Sequence, residues 1–140
     1  MKKILEDVRV LDLTHFWFGP CCPLVLAEMG AEVIRIEPPW GAVDRIADGA
    51  LFGGVSYTFH HFNLNKKGLA LNLKTPEGLS IFKELVKRSD VVVQNFRPGT
   101  MEKLGLSYEV LKELNPKIVY AALSGFGQYG PYSQRSKRPY

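Results

Sequence analysis

Gly19-Pro-Cys-Cys-Pro-Leu-Val-Leu-Ala-Glu-Met-Gly-Ala-Glu-Val-Ile-Arg-Ile-Glu37 decides the fold of this 140-residue chain. Gly19-Pro20 predicts a turn into a helix, because proline at a first helical position gives up no N–H that the helix needs. Pro23 still falls in that first turn. Leu24, Leu26, Ala27 and Met29 supply an apolar face, and Gly30 is a natural stop. Residues 31–37 then read as a strand, ended by Pro38-Pro39. Upstream, Val8-Arg-Val-Leu-Asp-Leu-Thr14 has the apolar run of a strand covered on both faces. Strand, helix, strand in this rhythm is a βαβ unit, with parallel strands and a right-handed crossover.

The rhythm continues downstream. Residues 38–65 are less regular, punctuated by Trp40-Gly41, Asp48-Gly49 and Gly53-Gly54, with a short helix around 56–62. Residues 68–74 read as a strand. Thr75 caps a helix with Pro76 at its first position, and Leu79, Phe82, Leu85 and Val86 recur at helical spacing. Residues 90–94 form a short buried strand. Residues 100–104 make one helical turn closed by Gly105. Ser107 caps a last helix carrying Val110, Leu111 and Leu114, which Asn115-Pro116 ends. Residues 117–123 are the final strand. The pattern is α/β, with no repeat, linker or low-complexity tract.

Composition narrows the partners. With 46% hydrophobic and 23% charged residues the chain is an ordinary globular one, a single domain at most. Eighteen basic against 14 acidic residues leave a charge of +4. That suits a small anionic partner such as a nucleotide, an acyl-CoA or a carboxylate, and is too little to point to nucleic acid. The two cysteines, Cys21 and Cys22, are adjacent and poorly placed to bridge each other. Without a disulfide framework, a reducing cytoplasm is the expected compartment. The start lacks the apolar core of a signal peptide, and no run approaches the roughly 18 apolar residues of a membrane span.

Several motifs compete for chemistry. Gly125-Phe-Gly-Gln-Tyr-Gly130 spells G-x-G-x-x-G after a strand, but a dinucleotide fingerprint must also open a helix, and Pro131-Tyr-Ser-Gln-Arg135 reads as a loop. Glu37 mimics the ribose-binding acid of such folds; without the glycines a structural role at the strand end fits better. Asn63, Asn65, Lys66, Lys67 and Lys74 put amides and ammonium groups beside strand ends, and Arg97 and Lys103 flank Pro98-Gly99. As a set they suit phosphates; singly each suits a solvated side chain. His60-His61 lacks companions at metal-ligand spacing. His15, just past the first strand, is either a site residue or a hydrogen-bonded loop histidine. Phe16-Trp17-Phe18 is either the wall of an apolar slot or part of the core.

Val10–Thr14, Gly19-Pro20, residues 26–38, Asn65-Lys66-Lys67, Leu73-Lys-Thr-Pro-Glu-Gly78, Asp90-Val-Val-Val-Gln-Asn-Phe-Arg-Pro-Gly99, Leu104-Gly105, Leu114-Asn-Pro116 and Ser124-Gly-Phe-Gly-Gln-Tyr-Gly-Pro131 together resemble the amino-terminal part of a family III CoA-transferase. The likeness is collinear over nearly the whole chain. It implies a doubly wound, mostly parallel Rossmann-like sheet as the incomplete large domain of a longer protein, with a small domain and a carboxy-terminal return absent from residues 1–140. It implies transfer of CoA from an acyl-CoA to a free carboxylic acid, without a permanently bound cofactor, in an interlocked homodimer. An aspartate would attack the thioester, giving an anhydride and then an aspartyl-CoA thioester.

By position, the resemblance implies that Asn95 and Phe96 contact CoA, with Leu71 and Lys74 near its nucleotide end. His15, Arg97 and Leu104 join the expected CoA-binding set. Phe16, Trp17 and Phe18 occupy the loop facing the thioester. Lys103 stands where a phosphate-binding arginine is common, keeping the charge without the bidentate fork. Pro38 stands where some relatives carry arginine. Trp17 replaces an amide side chain of the oxalate-specific branch, and the aromatic triplet favours an apolar or aromatic acid. The nucleophile is expected beyond Tyr140; Asp7, Asp12, Asp44, Asp48 and Asp90 do not sit at its position. Tyr140 falls near the catalytic histidine of the related α-methylacyl-CoA racemases and so favours transfer. A non-catalytic CoA-binding remnant is a further alternative. An isolated 1–140 piece is expected to expose apolar edges and to aggregate.

Overall fold

The computed structural model describes residues 2–47, 49 and 51–135. Asp48 and Tyr140, both considered above, lie outside the described residues. In chain order the elements are β1 (Arg9–Asp12), α1 (Phe18–Glu28), β2 (Glu32–Glu37), a 3-10 turn (Val43–Arg45), β3 (Leu51–Phe52), β4 (Val55–Ser56), α2 (Tyr57–Phe62), β5 (Lys67–Ala70), α3 (Pro76–Val86), β6 (Val91–Gln94), α4 (Thr100–Lys103), α5 (Tyr108–Leu114) and β7 (Val119–Ala122).

Five of the strands form a wholly parallel sheet in the order β5-β2-β1-β6-β7. Strands β3 and β4 make a separate antiparallel hairpin. Side-chain alternation splits the sheet into two faces. Val10, Val33 and Val93 pack with Ala27 and Ala31 on the α1 side. Leu11, Ile36 and Val92 pack with Phe82 and Val86 of α3, Met101 of α4 and Leu111 of α5 on the other. This is the doubly wound α/β architecture. The chain winds outward from β1 to β2 and β5, then restarts on the other side of β1 with β6 and β7. The reversal lies between β1 and β6.

Capping residues act as the sequence indicates. The Thr75 hydroxyl accepts from the Gly78 N–H at the start of α3, with Pro76 at the first position. The Ser107 hydroxyl does the same for α5, and that of Ser56, which the sequence did not mark as a cap, does so for α2. Other boundaries move. Helix α1 begins at Phe18, so Pro20 is its third residue and Pro23 lies inside it rather than in the first turn. The buried face of α1 is Gly19, Pro20, Pro23 and Ala27. Met29, expected on the apolar face, is exposed, because the small residues and the prolines sit closest to the sheet. Strand β5 ends at Ala70 instead of Lys74: the Thr75 hydroxyl donates to the Asn72 carbonyl and the Asn72 side chain accepts from the Lys74 N–H, turning the chain towards α3. The 3-10 turn and the β3–β4 hairpin bring order to a segment that composition left irregular. No helix is long and apolar enough to cross a membrane, among the described residues.

Candidate functional site

In an open parallel sheet, ligands bind beyond the carboxyl ends of the strands where the winding reverses. Here that place is the gap between the loop after β1 and the loop after β6. Asn95 stitches the two loops together. Its side-chain oxygen accepts from the His15 N–H at 2.8 Å, and its nitrogen donates to the His15 carbonyl at 2.9 Å. A Cβ at position 19 would lie 2.5 Å from Asn95 Nδ2 and 2.7 Å from Thr14 Cβ, so only glycine lets the start of α1 approach this closely.

A cavity of about 710 Å³ opens beside this junction. The carboxyl ends of β1, β2 and β5 contribute Leu13, His15, Ile36, Glu37 and residues 71–74. The loop after β6 adds Phe96, and α4 adds Thr100 and Leu104. Trp40, Val43 and Ile46 form an exposed apolar rim. The volume is that of a ligand site, and the lining joins apolar walls to a few polar groups.

Of the eleven residues singled out in the sequence, His15, Leu71, Lys74, Phe96 and Leu104 meet at this cavity. The His15 ring is tilted against Phe96 with centroids 5.5 Å apart. Its Nδ1 is buried without a hydrogen-bond partner, so it retains bonding capacity for a ligand. Burial pushes this imidazole below its ordinary 6.5, while nearby Asp44 pulls the other way. Lys74 is exposed at the mouth. Asn95 is committed to the backbone of His15 and holds the wall from behind.

The other candidates lie elsewhere. Phe16, Trp17 and Phe18 are not core: they are 50%, 60% and 66% exposed, and project from the loop outside the cavity lining. Arg97 lines a second cavity of about 520 Å³ with Gln94, Glu102 and Tyr120. Lys103, the last residue of α4, is exposed. The expected cation cluster does not assemble. The Lys66 ammonium is buried, donating to Asp12 at 2.9 Å and to the Pro20 carbonyl at 3.0 Å. Burial lowers its pKa from the ordinary 10.5, and Asp12 offsets part of that. Lys67 pairs with Glu32 at the opposite, amino-terminal edge of the sheet. The glycine run 125–130 opens no helix; residues 131–134 form turns. The His60 ring stands edge-on to Phe52 and Phe59.

Sequence reasoning missed the charged layer beneath the cavity. Arg35, 2% exposed, donates to both Asp44 oxygens at 2.9 and 3.0 Å and to the Asn63 side-chain oxygen at 3.0 Å. Glu37 accepts from Arg45 at 2.7 and 2.8 Å and from the Ala42 N–H at 3.1 Å. Burial raises the Glu37 carboxyl, but the Arg45 bonds, the Ala42 N–H and the Arg35 charge outweigh it, so it titrates below its ordinary 4.5. At the strand end its two oxygens are taken up by Arg45 and the Ala42 N–H. Both guanidinium groups also lie over the Phe59 ring, at 5.0 and 4.3 Å. The available signal was Arg35 itself: an arginine inside a strand buried on both faces must have a partner.

The chain matches CoA-transferase family III over residues 5–137. It is 43% identical to the formyl-CoA:oxalate CoA-transferase of Streptomyces avermitilis over 133 residues, which are 95% of this chain and 32% of the relative. It is 43% identical to the human succinyl-CoA:glutarate CoA-transferase over 135 residues, 96% of this chain and 31% of the relative. A crystal structure of a CAIB/BAIF family protein from Brucella suis superposes with a TM-score of 0.90 at 34% identity, covering 97% of this chain and 37% of that one. The chain thus spans about a third of the length of the curated relatives it matches. By sequence and fold together, it belongs to family III of the CoA-transferases.

Proposed function

We propose that the whole protein of which residues 1–140 form a part moves CoA from an acyl-CoA to a free carboxylic acid. The observation that carries this reading is the cavity beside the reversal of the sheet, where His15, Leu71, Lys74, Phe96 and Leu104 combine an apolar wall with an unpartnered buried nitrogen and an exposed ammonium group. An apolar rim of Trp40, Val43 and Ile46 suits the pantetheine or adenine of CoA, and Lys74 at the mouth suits a phosphate.

The chemistry needs a carboxylate nucleophile, which we assign to an aspartate beyond Tyr140. Its oxygen attacks the thioester carbonyl, the CoA thiolate leaves, and a mixed anhydride forms. The thiolate then attacks the aspartyl carbonyl, releasing the donor acid and leaving an aspartyl-CoA thioester. The acceptor carboxylate repeats the two steps in reverse order and restores the aspartate. No proton is consumed, so the site must hold and orient two anions rather than relay protons. The enzyme works as a homodimer in the cytoplasm, with Asn95 supporting the CoA-facing loop and Arg97 and Lys103 contributing charge outside the main cavity.

The test is a mass-resolved exchange assay on the full-length protein with an acyl-CoA donor and a panel of isotope-labelled carboxylates. Labelled acyl-CoA is the expected product. Exchange of the α-proton with deuterated solvent, without label transfer, would replace this reading with racemisation. CoA binding with neither reaction would reduce the protein to a CoA-binding remnant.

A further inference from the structure

Phe16 is one of two non-glycine residues with positive φ among those described, at 66°. An L-residue other than Asn, Asp or Gly is held there only by its surroundings. The surroundings are specific. The Phe16 N–H donates to Asp44 Oδ2 at 2.9 Å. Asp44 is itself buried and gripped through both oxygens by Arg35. Arg35 in turn donates from Nη1 to the Thr14 carbonyl at 3.0 Å. On the other side, Asn95 takes both backbone groups of His15. Thr14, His15 and Phe16 are therefore clamped by three side chains from β2, the 3-10 turn and the end of β6. The clamped segment lines the cavity with His15, while Phe16, Trp17 and Phe18 lie outside that lining.

We propose that Asp44 is a positioning residue for this site: paired with Arg35, it holds Phe16 in the left-handed conformation and so fixes the aim of His15 and of the aromatic loop. The kinetic consequence rests on the CoA-transfer reading; the clamp itself does not. A free carboxylate at this depth would be costly, and a merely structural ion pair would not need to direct an oxygen at the one strained amide of the loop.

The experiment is a double-mutant cycle in the full-length protein with Asp44→Ala and Phe16→Gly. Glycine adopts the left-handed region without help, so it separates the clamp from general stability. Asp44→Asn, which turns one acceptor oxygen into a donor facing either Phe16 or Arg35, serves where Asp44→Ala does not fold. Hydrogen exchange at the Phe16 amide reads the clamp directly, and kcat and KM for acyl-CoA read positioning. Loss of Asp44 is expected to speed exchange at Phe16 and to lower kcat about ten- to a hundredfold, more than it raises KM. In the Phe16→Gly background the same loss is expected to cost no more than about threefold. An equal cost in both backgrounds, or an unchanged kcat despite faster exchange, would overturn the proposal. Titration of the wild type with coenzyme A is the separate control: absence of binding there refutes the transferase reading, while slow exchange at Phe16 that depends on Asp44 still upholds the clamp.

Discussion

The two ends of the sheet carry similar ion pairs with opposite consequences. At the amino-terminal edge, Glu32 sits between Arg9 and Lys67, and the lysine is largely in solvent. At the carboxyl end, Arg35, Asp44, Glu37 and Arg45 form a layer in which Arg35, Asp44 and Glu37 are buried. Exposed pairs gain little, because water screens them and side-chain entropy opposes them. Buried groups are costly to orphan, and each of their oxygens must be spoken for. Position relative to solvent, not residue type, decides which layer shapes the site.

The largest effect should come from breaking the buried layer. Arg35→Met leaves Asp44 buried with only the Phe16 N–H as partner, and we expect a loss of about 3–5 kcal/mol in full-length stability by urea unfolding. A loss under about 1 kcal/mol would erase the contrast between the two ends. Next comes Gly19→Ala, which drives a methyl group against Asn95 and Thr14. A cost of about 1–3 kcal/mol is expected. The same variant should weaken coenzyme A binding in a calorimetric titration, because Asn95 is pushed off the His15 backbone.

Acidification probes the buried groups without mutation. The unfolded chain protonates His15 near pH 6.5, while burial makes the folded site resist. Stability should therefore fall as the pH drops below 6.5 towards the folded value, and His15→Gln should flatten that part of the curve. Glu37 acts lower. Its folded carboxyl stays ionised below 4.5, so its contribution is complete above 4.5 and is lost as the pH falls through the folded value. An identical pH profile for His15→Gln and wild type would remove His15 from the account. The smallest effect belongs to Glu32→Gln at the exposed edge, where we expect less than about 1 kcal/mol at neutral pH and no change in coenzyme A affinity. Glu32 also titrates low, first through its Lys67 hydrogen bond and then through Arg9, so its small contribution likewise fades on acidification.

Much of this was legible in the sequence where the determinant is local. Thr75-Pro76, Ser107 and Asn115-Pro116 mark helix ends through their own backbone chemistry, and the apolar runs mark the parallel strands. Gly19 reads in the sequence as a turn into the helix, and only the fold shows that a side chain there would strike Asn95 and Thr14. What stayed hidden depends on distant partners. Lys66 reads as a solvated cation until Asp12, 54 residues away, is found beside it. The placement of Phe16-Trp17-Phe18 could not be read from hydrophobicity, because a strained backbone and a carboxylate 28 residues away turn those rings outward. Arg97 and Lys103 carry the right charge for a phosphate, yet Arg97 lines the second cavity and Lys103, the last residue of α4, lies outside the lining of the one that Lys74 borders.

The most direct test is the intact mass of the full-length protein after mixing with an acyl-CoA in the absence of an acceptor acid. Formation of the aspartyl-CoA thioester predicts a covalent increase of one coenzyme A less one water, released on adding a carboxylate. An unchanged mass would contradict it.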